Sequence, residues 1–139
     1  MRMSITFSRL GRRGASVVEF ALLAPLFVAI LFGMLGYGQY FYVSHAVQQI
    51  ANDAARATIE GLTTAERTAL ATASVAREGA AQGSLDARRL VTTVTDSNGV
   101  TVVAVQYDAS NVAILSSGLL PFPDRTIVRR AQVRTGGIA

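Results

Sequence analysis

Between Phe20 and Asn52 the chain carries no formally charged side chain, and the first part of that run is almost wholly apolar. Read as a helix rising 1.5 Å per residue, Phe20 to Val43 spans about 36 Å, against about 30 Å of bilayer hydrocarbon. Leu, Ile, Phe and Val fill ten positions from Phe20 to Leu35. At roughly −0.3 to −0.6 kcal/mol each they favour insertion by about 3–6 kcal/mol. A carboxylate at the centre of a span costs about 3 kcal/mol, but Glu19 stands at its edge, where the cost is smaller. The pattern therefore predicts a membrane-spanning helix. An ordinary secretory signal has a shorter apolar core of about 7–15 residues; Ser44-His45-Ala46 fits its cleavage rule only loosely.

Beyond the span the pattern changes from apolar all round to apolar on one side. Tyr40, Val43, Val47, Ile50, Ala54 and Ala57 recur at alternating spacings of three and four, with Gln39, Gln48, Gln49, Asn52, Asp53 and Arg56 between them. This is the seam of an amphipathic helix, predicted to end at Gly61. It packs either on the chain's own C-terminal part or on copies of itself. Inside the span, Ala29, Gly33 and Gly36 share a face and would let another helix approach closely. The plain alternative is that membrane helices tolerate glycine. Pro25 leaves the carbonyl of Ala21 without its usual partner, so a kink or local unwinding is expected there.

Thr63-Thr64-Ala65-Glu66 has the form of a capping box and opens a second, Ala-rich helix stopping near Gly79 or Gly83. Leu90–Thr95 and Val100–Tyr107 are rich in Val and Thr and flank Asp96-Ser97-Asn98-Gly99, which predicts a β-hairpin turning at Asn98-Gly99. Val112 to Phe122 is apolar and reads as a strand plus loop or a membrane-proximal patch. Thr126 to Arg134 reads as the last strand. The fold class is thus α+β and membrane-anchored: a long N-terminal transmembrane and amphipathic helix, a short second helix, and a small antiparallel sheet of three or four strands. The expected divisions are a basic leader (1–14), the helix (15–60) and a small exported domain (61–139).

The net charge of +4 changes the picture only through its placement. All thirteen basic residues are arginine, and Arg2, Arg9, Arg12 and Arg13 precede Ala15 with no acid among them. The other nine arginines balance nine carboxylates. The excess is topology information and not a nucleic-acid footprint. It puts the N-terminus in the cytoplasm and the residues after about 45 outside. Arg125, Arg129, Arg130 and Arg134 follow Asp124 without a further acid, as a solvated edge strand or as a docking surface for an acidic partner.

With no cysteine, disulfides, thiolate metal sites and cysteine nucleophiles are excluded. His45 stands alone next to the membrane. There is no His/Asp/Glu cluster at metal spacing and no phosphate loop, so no cofactor and no enzymatic activity are expected.

The remaining motif is Arg12-Arg13-Gly14-Ala15, followed by Val18-Glu19-Phe20-Ala21-Leu22 and Pro25, then Gly38-Gln39-Tyr40-Phe41 and Ala51-Asn52-Asp53-Ala54-Ala55-Arg56-Ala57. In order and spacing this resembles the TadE-like pseudopilins of tight-adherence (Flp-type) pilus systems. Family members often carry an acid where Gln39 stands. The resemblance implies a leader removed by a membrane prepilin peptidase between Gly14 and Ala15, with Glu19 as fifth residue of the mature chain. It also implies other pilin subunits, the pilus assembly platform and the membrane as partners. The implied location is the bacterial inner membrane, crossed once, with the C-terminal domain periplasmic and the subunit available for an extracellular pilus. Glu19 would then serve assembly. The expected role is a minor pilin or pseudopilin; a major pilin, or an uncleaved bitopic anchor with a ligand- or envelope-binding outer domain, are the rival readings.

Overall fold

The structure is a computed structural model; it describes residues 10–112 and 124–135, with side chains from residue 14 onward. Most of the apolar Val112–Phe122 stretch, and Arg2 and Arg9 of the leader, lie outside the described residues. The element order is α1 (Leu10–Ala57), a 3-10 turn (Thr58–Glu60), α2 (Thr64–Ala81), β1 (Leu90–Ser97), β2 (Val100–Asp108) and β3 (Thr126–Arg134). The strands form one antiparallel sheet in the order β1-β2-β3. The architecture is the α+β one expected, with three strands among the described residues.

The chain divides into two compact units, Met1–Leu35 and Gly36–Ala139. In the first, the apolar side chains of α1 point into open surroundings: Phe20, Leu22, Leu26, Phe27 and Leu35 are all exposed. The most apolar 18-residue window of the helix has none of its residues buried within the protein. So large an uncovered apolar surface suggests a lipid environment, which α1 is long enough to cross. The helix carries through Pro25 without interruption.

The second unit begins inside α1, not after it. Val43, Ala46, Val47, Ile50, Ala51, Ala54 and Ala55 are seven of the fifteen buried apolar residues of the core. They recur every three or four positions and form one stripe. The stripe packs with Val103, Val105 and Tyr107 of β2, Ile127 of β3, and Ala71 and Val75 of α2. Of the two partners open to the seam, the chain's own C-terminal part covers it. Thr58 closes the stripe, buried, its hydroxyl donating to the Ala55 carbonyl at 2.6 Å.

Gly61 does end the helical run, but for a different reason from the one expected. Its φ of −82° and ψ of 134° are ordinary extended values, not left-handed ones. A Cβ here would lie 2.7 Å from Arg67 Cγ and 2.9 Å from the Arg67 backbone nitrogen. Glycine is required by this close approach. α2 then opens on the expected capping box: the Glu66 N–H donates to Thr63 Oγ1, and Glu66 Oε2 accepts from the N–H groups of Thr63 and Leu62. At the hairpin, Asn98 (φ 50°) and Gly99 (φ 72°) both take left-handed conformations, the pair a two-residue primed turn demands.

Arg67 ties the distal end of this unit together. Its Nε donates to the Gly61 carbonyl at 3.0 Å and its Nη1 meets Asp96 Oδ2 at 3.3 Å. Asp96 also accepts from the Thr101 hydroxyl, which in turn contacts Thr135 Oγ1 at 3.2 Å. One guanidinium thus links the end of the α1 run, α2, and the chain at all three strands.

Two predictions follow from the core and this network. A chain beginning at Gly36 folds cooperatively, whereas one beginning at residue 61 lacks half its core and does not; circular dichroism melts distinguish them. Ile50→Ala, at a site only 1 % exposed, costs about 2–5 kcal/mol in denaturant titrations. The second concerns acid. The carboxyls of Glu66 (held by the Leu62 and Thr63 N–H groups), Asp86 (by the Arg88 N–H), Asp96 (by the Thr101 hydroxyl) and Asp108 (by the Ser110 N–H) all lie below their ordinary range. Lowered folded-state values contribute stability above the unfolded values near pH 4 and lose it as pH falls through the folded ones. The melting temperature should therefore be flat from pH 7 to about 5 and fall below about pH 4. Asp96→Asn should lower it at neutral pH and flatten the acid decline.

Candidate functional site

The residues singled out for processing and assembly lie on the first turns of α1. The described part of α1 begins at Leu10. Gly11 and Gly14 each weaken this end by about 1 kcal/mol relative to alanine. The Gly14–Ala15 bond therefore sits in a stretch of helix that glycine weakens locally. Gly14 is exposed, and a Cβ placed on it would meet nothing within 4 Å. Among the described residues nothing crowds this position.

Ala15 and Glu19 are both exposed, four residues apart, on one face and separated by about 6 Å along the axis. Hydrolysis of the Gly14–Ala15 bond would put a carboxylate on the departing leader and an ammonium on Ala15. That ammonium would stand at the positive end of the helix dipole, where a cation is disfavoured. Glu19 is the first carboxylate of the shortened helix. It can offset both the dipole and an ammonium, its own or a neighbour's. Just beyond it, Phe20, Leu23, Ala24, Phe27 and Val28 line an apolar groove of about 460 Å³. Of the small residues in the span, Ala29 is exposed, Gly33 is half-buried with open space at its Cβ position, and Gly36 is buried.

The seam residues are placed elsewhere in function. Val43, Val47, Ile50 and Ala54 belong to the intramolecular core and Tyr40 packs against it, its ring edge-on to Phe41 at 5.9 Å. His45 is exposed and isolated. Among the described residues no three metal-ligating side chains come together.

On β3, Arg125, Arg130 and Arg134 are exposed and Arg129 is half-buried, its Nη1 donating to the Val128 carbonyl at 3.1 Å. What the sequence pattern did not reveal is their neighbour. Gln48, Asn52 and Arg56, spaced by four, form a polar line along α1. Gln48 Nε2 donates to the Arg130 carbonyl at 3.1 Å and also to Asn52 Oδ1 at 3.1 Å. The spacing was visible, but not that β3 lies beside it.

The family model described as TadE-like protein matches residues 14–56. The match begins at Gly14, spans the apolar helix and ends at Arg56, the stretch whose motifs carry the resemblance. No curated protein and no solved structure matches the chain significantly. Over that segment the chain is similar to TadE-like proteins, and its long apolar helix is long and apolar enough to span a membrane.

Proposed function

We propose that this chain is a minor pilin or pseudopilin of a Flp/Tad-type pilus. It is made as a membrane precursor and cut after Gly14 by a prepilin peptidase. It is then held as a single-span subunit with its N-terminus inside and the unit Gly36–Ala139 in the periplasm. Its role is structural, not catalytic. One observation carries the reading: the TadE-like match starts at Gly14 and runs through the exposed apolar helix. The chemistry supports it. Removing the segment before Ala15 removes four arginines and the entire net charge. The new Ala15 ammonium, on a helix bundled with other subunits in lipid, finds its counter-ion in Glu19, offsetting the burial cost of both.

Intact-mass measurement of the membrane-extracted protein tests the cut: the expected mature chain begins at Ala15. Gly14→Arg puts a bulky charge at the cleavage point and should leave the precursor uncut. A wild-type mature chain that still begins at Met1 would overturn the proposal in favour of an uncleaved anchor.

Glu19→Gln separates assembly from processing. The variant should insert at least as well as wild type, since it removes a charge at the span edge. It should still be cut, and it should associate poorly with other pilin subunits. Because the chain has no cysteine, single cysteines at exposed Leu23 or Phe27 can report helix–helix contact. Val47 and Ala54 cannot, being fully buried in the subunit's own core. Normal crosslinks and normal pilus numbers in the Gln variant would reduce Glu19 to an interfacial residue.

A further inference from the structure

Among the described residues β3 is an outer strand of the sheet, and its free edge is not a bare one. The Arg130 carbonyl accepts from Gln48 and not from β2. The Thr135 N–H donates to the Gly99 carbonyl at 2.8 Å and the Arg125 carbonyl accepts from the Ala109 N–H, so the odd-numbered positions face inward. By the alternation of an antiparallel ladder, the backbone groups of Val128, Arg130, Gln132 and Arg134 face outward. Alongside this edge runs the polar line of α1. Gln48 lies at Arg130, and a cleft of about 310 Å³ is lined by Asn52, Ala55 and Arg56 on one wall and by Ala131, Gln132 and Val133 on the other. α1 and β3 therefore advance together. A four-residue step of the helix is about 6.0 Å and a two-residue step of the strand about 6.6 Å, so the two ladders stay nearly in register over this length.

The charges on these ladders are one-sided. Among the described residues, no carboxylate lies within ion-pairing distance of Arg56, Arg125, Arg130 or Arg134. Arg130 and Arg134 stand on the sheet face turned away from the core, two strand repeats apart, with Gln132 between them. Arginines at an edge repel another basic strand; on an edge with a helix wall and outward-facing backbone groups, of which the Arg130 carbonyl is held by Gln48, they also select an acidic one.

We propose that the α1–β3 cleft is a docking site for an extended acidic segment of a partner protein, which adds as a fourth strand beside β3. The segment carries carboxylates at positions i and i+4, opposite Arg130 and Arg134, with an uncharged polar residue between them opposite Gln132. Its alternate residues are small, because they pass under the Gln48–Asn52–Arg56 line. Backbone hydrogen bonds supply affinity, and the two guanidinium–carboxylate pairs supply direction and register. The site lies wholly within the unit Gly36–Ala139 and does not depend on cleavage at Gly14.

The test uses the full chain in detergent micelles and a fluorescently labelled nonapeptide of Thr, Val and Ala with Glu at its third and seventh positions. Anisotropy should report saturable binding. Affinity should fall at least tenfold when both glutamates are replaced by lysine, and likewise when alternate peptide nitrogens are methylated so that the strand cannot donate. Arg130→Glu combined with Arg134→Glu should cost a similar factor, while an unchanged circular dichroism melt shows that the domain is folded. Three results would overturn the proposal: no binding of the acidic peptide, equal binding of the methylated one, or an unaffected arginine variant. Equal binding of the methylated peptide, or stronger retention by vesicles of anionic phospholipid than by peptide, would reduce the surface to a general anion-attracting patch.

Discussion

The burial of one face of α1, from Val43 to Thr58, is the constraint on which the rest of the unit Gly36–Ala139 depends. A three-stranded sheet cannot hold itself together in water, because one of its faces must be covered by something apolar. α2 is a poor cover: Ala71, Ser74, Val75 and Gly79 are its buried residues. The larger contribution comes from the continuation of the membrane helix. The same helix therefore answers to two solvents. From Phe20 to Leu35 it is apolar on every side, as lipid would require; from Val43 it is apolar on one side only, as a water-exposed protein core requires. This is why the boundary between units falls within a helix and not in a loop.

At the distal end the constraint is polar. Arg67 reaches Gly61 and Asp96, and Asp96 reaches Thr101. These groups are largely withdrawn from water, so each link matters more than a surface pair would. At the proximal end Tyr107, fully buried, does comparable work through its hydroxyl, which receives the Asp86 N–H and donates to Asn111. The apolar stripe fixes how the elements lie on each other; the two polar ends fix where the strands stop.

Local features were readable in advance because they are encoded locally. The capping box at Thr63 and Glu66, the Asn98-Gly99 turn and the limits of β3 each rest on residues within a few positions of one another. Gly14, Ala15 and Glu19, proposed for processing and assembly, were picked out for the same reason, as a linear motif at the start of the family match. What periodicity could not convey was the identity of the surface covering a stripe. Val47 and Ile50 read equally well as contacts within the chain or between copies, and only the position of β2 and β3 decides. Gly61 was recognised as a helix end, but the need for glycine comes from Arg67, six residues on and in space directly against it. The α1–β3 cleft was illegible altogether, since it pairs residues more than seventy positions apart.

The shared direction of α1 and β3 has a mechanical consequence. A pull along the Val43–Ala54 part of α1 acts parallel to that stripe, so its contacts are loaded together in shear and not peeled apart one by one. Sliding would have to move several packed side chains over their neighbours in the same step, through an interior with no room for intermediate positions. A fold built this way resists tension along this helix better than its modest core size would suggest. It yields more readily to a force that lifts the helix sideways off the sheet.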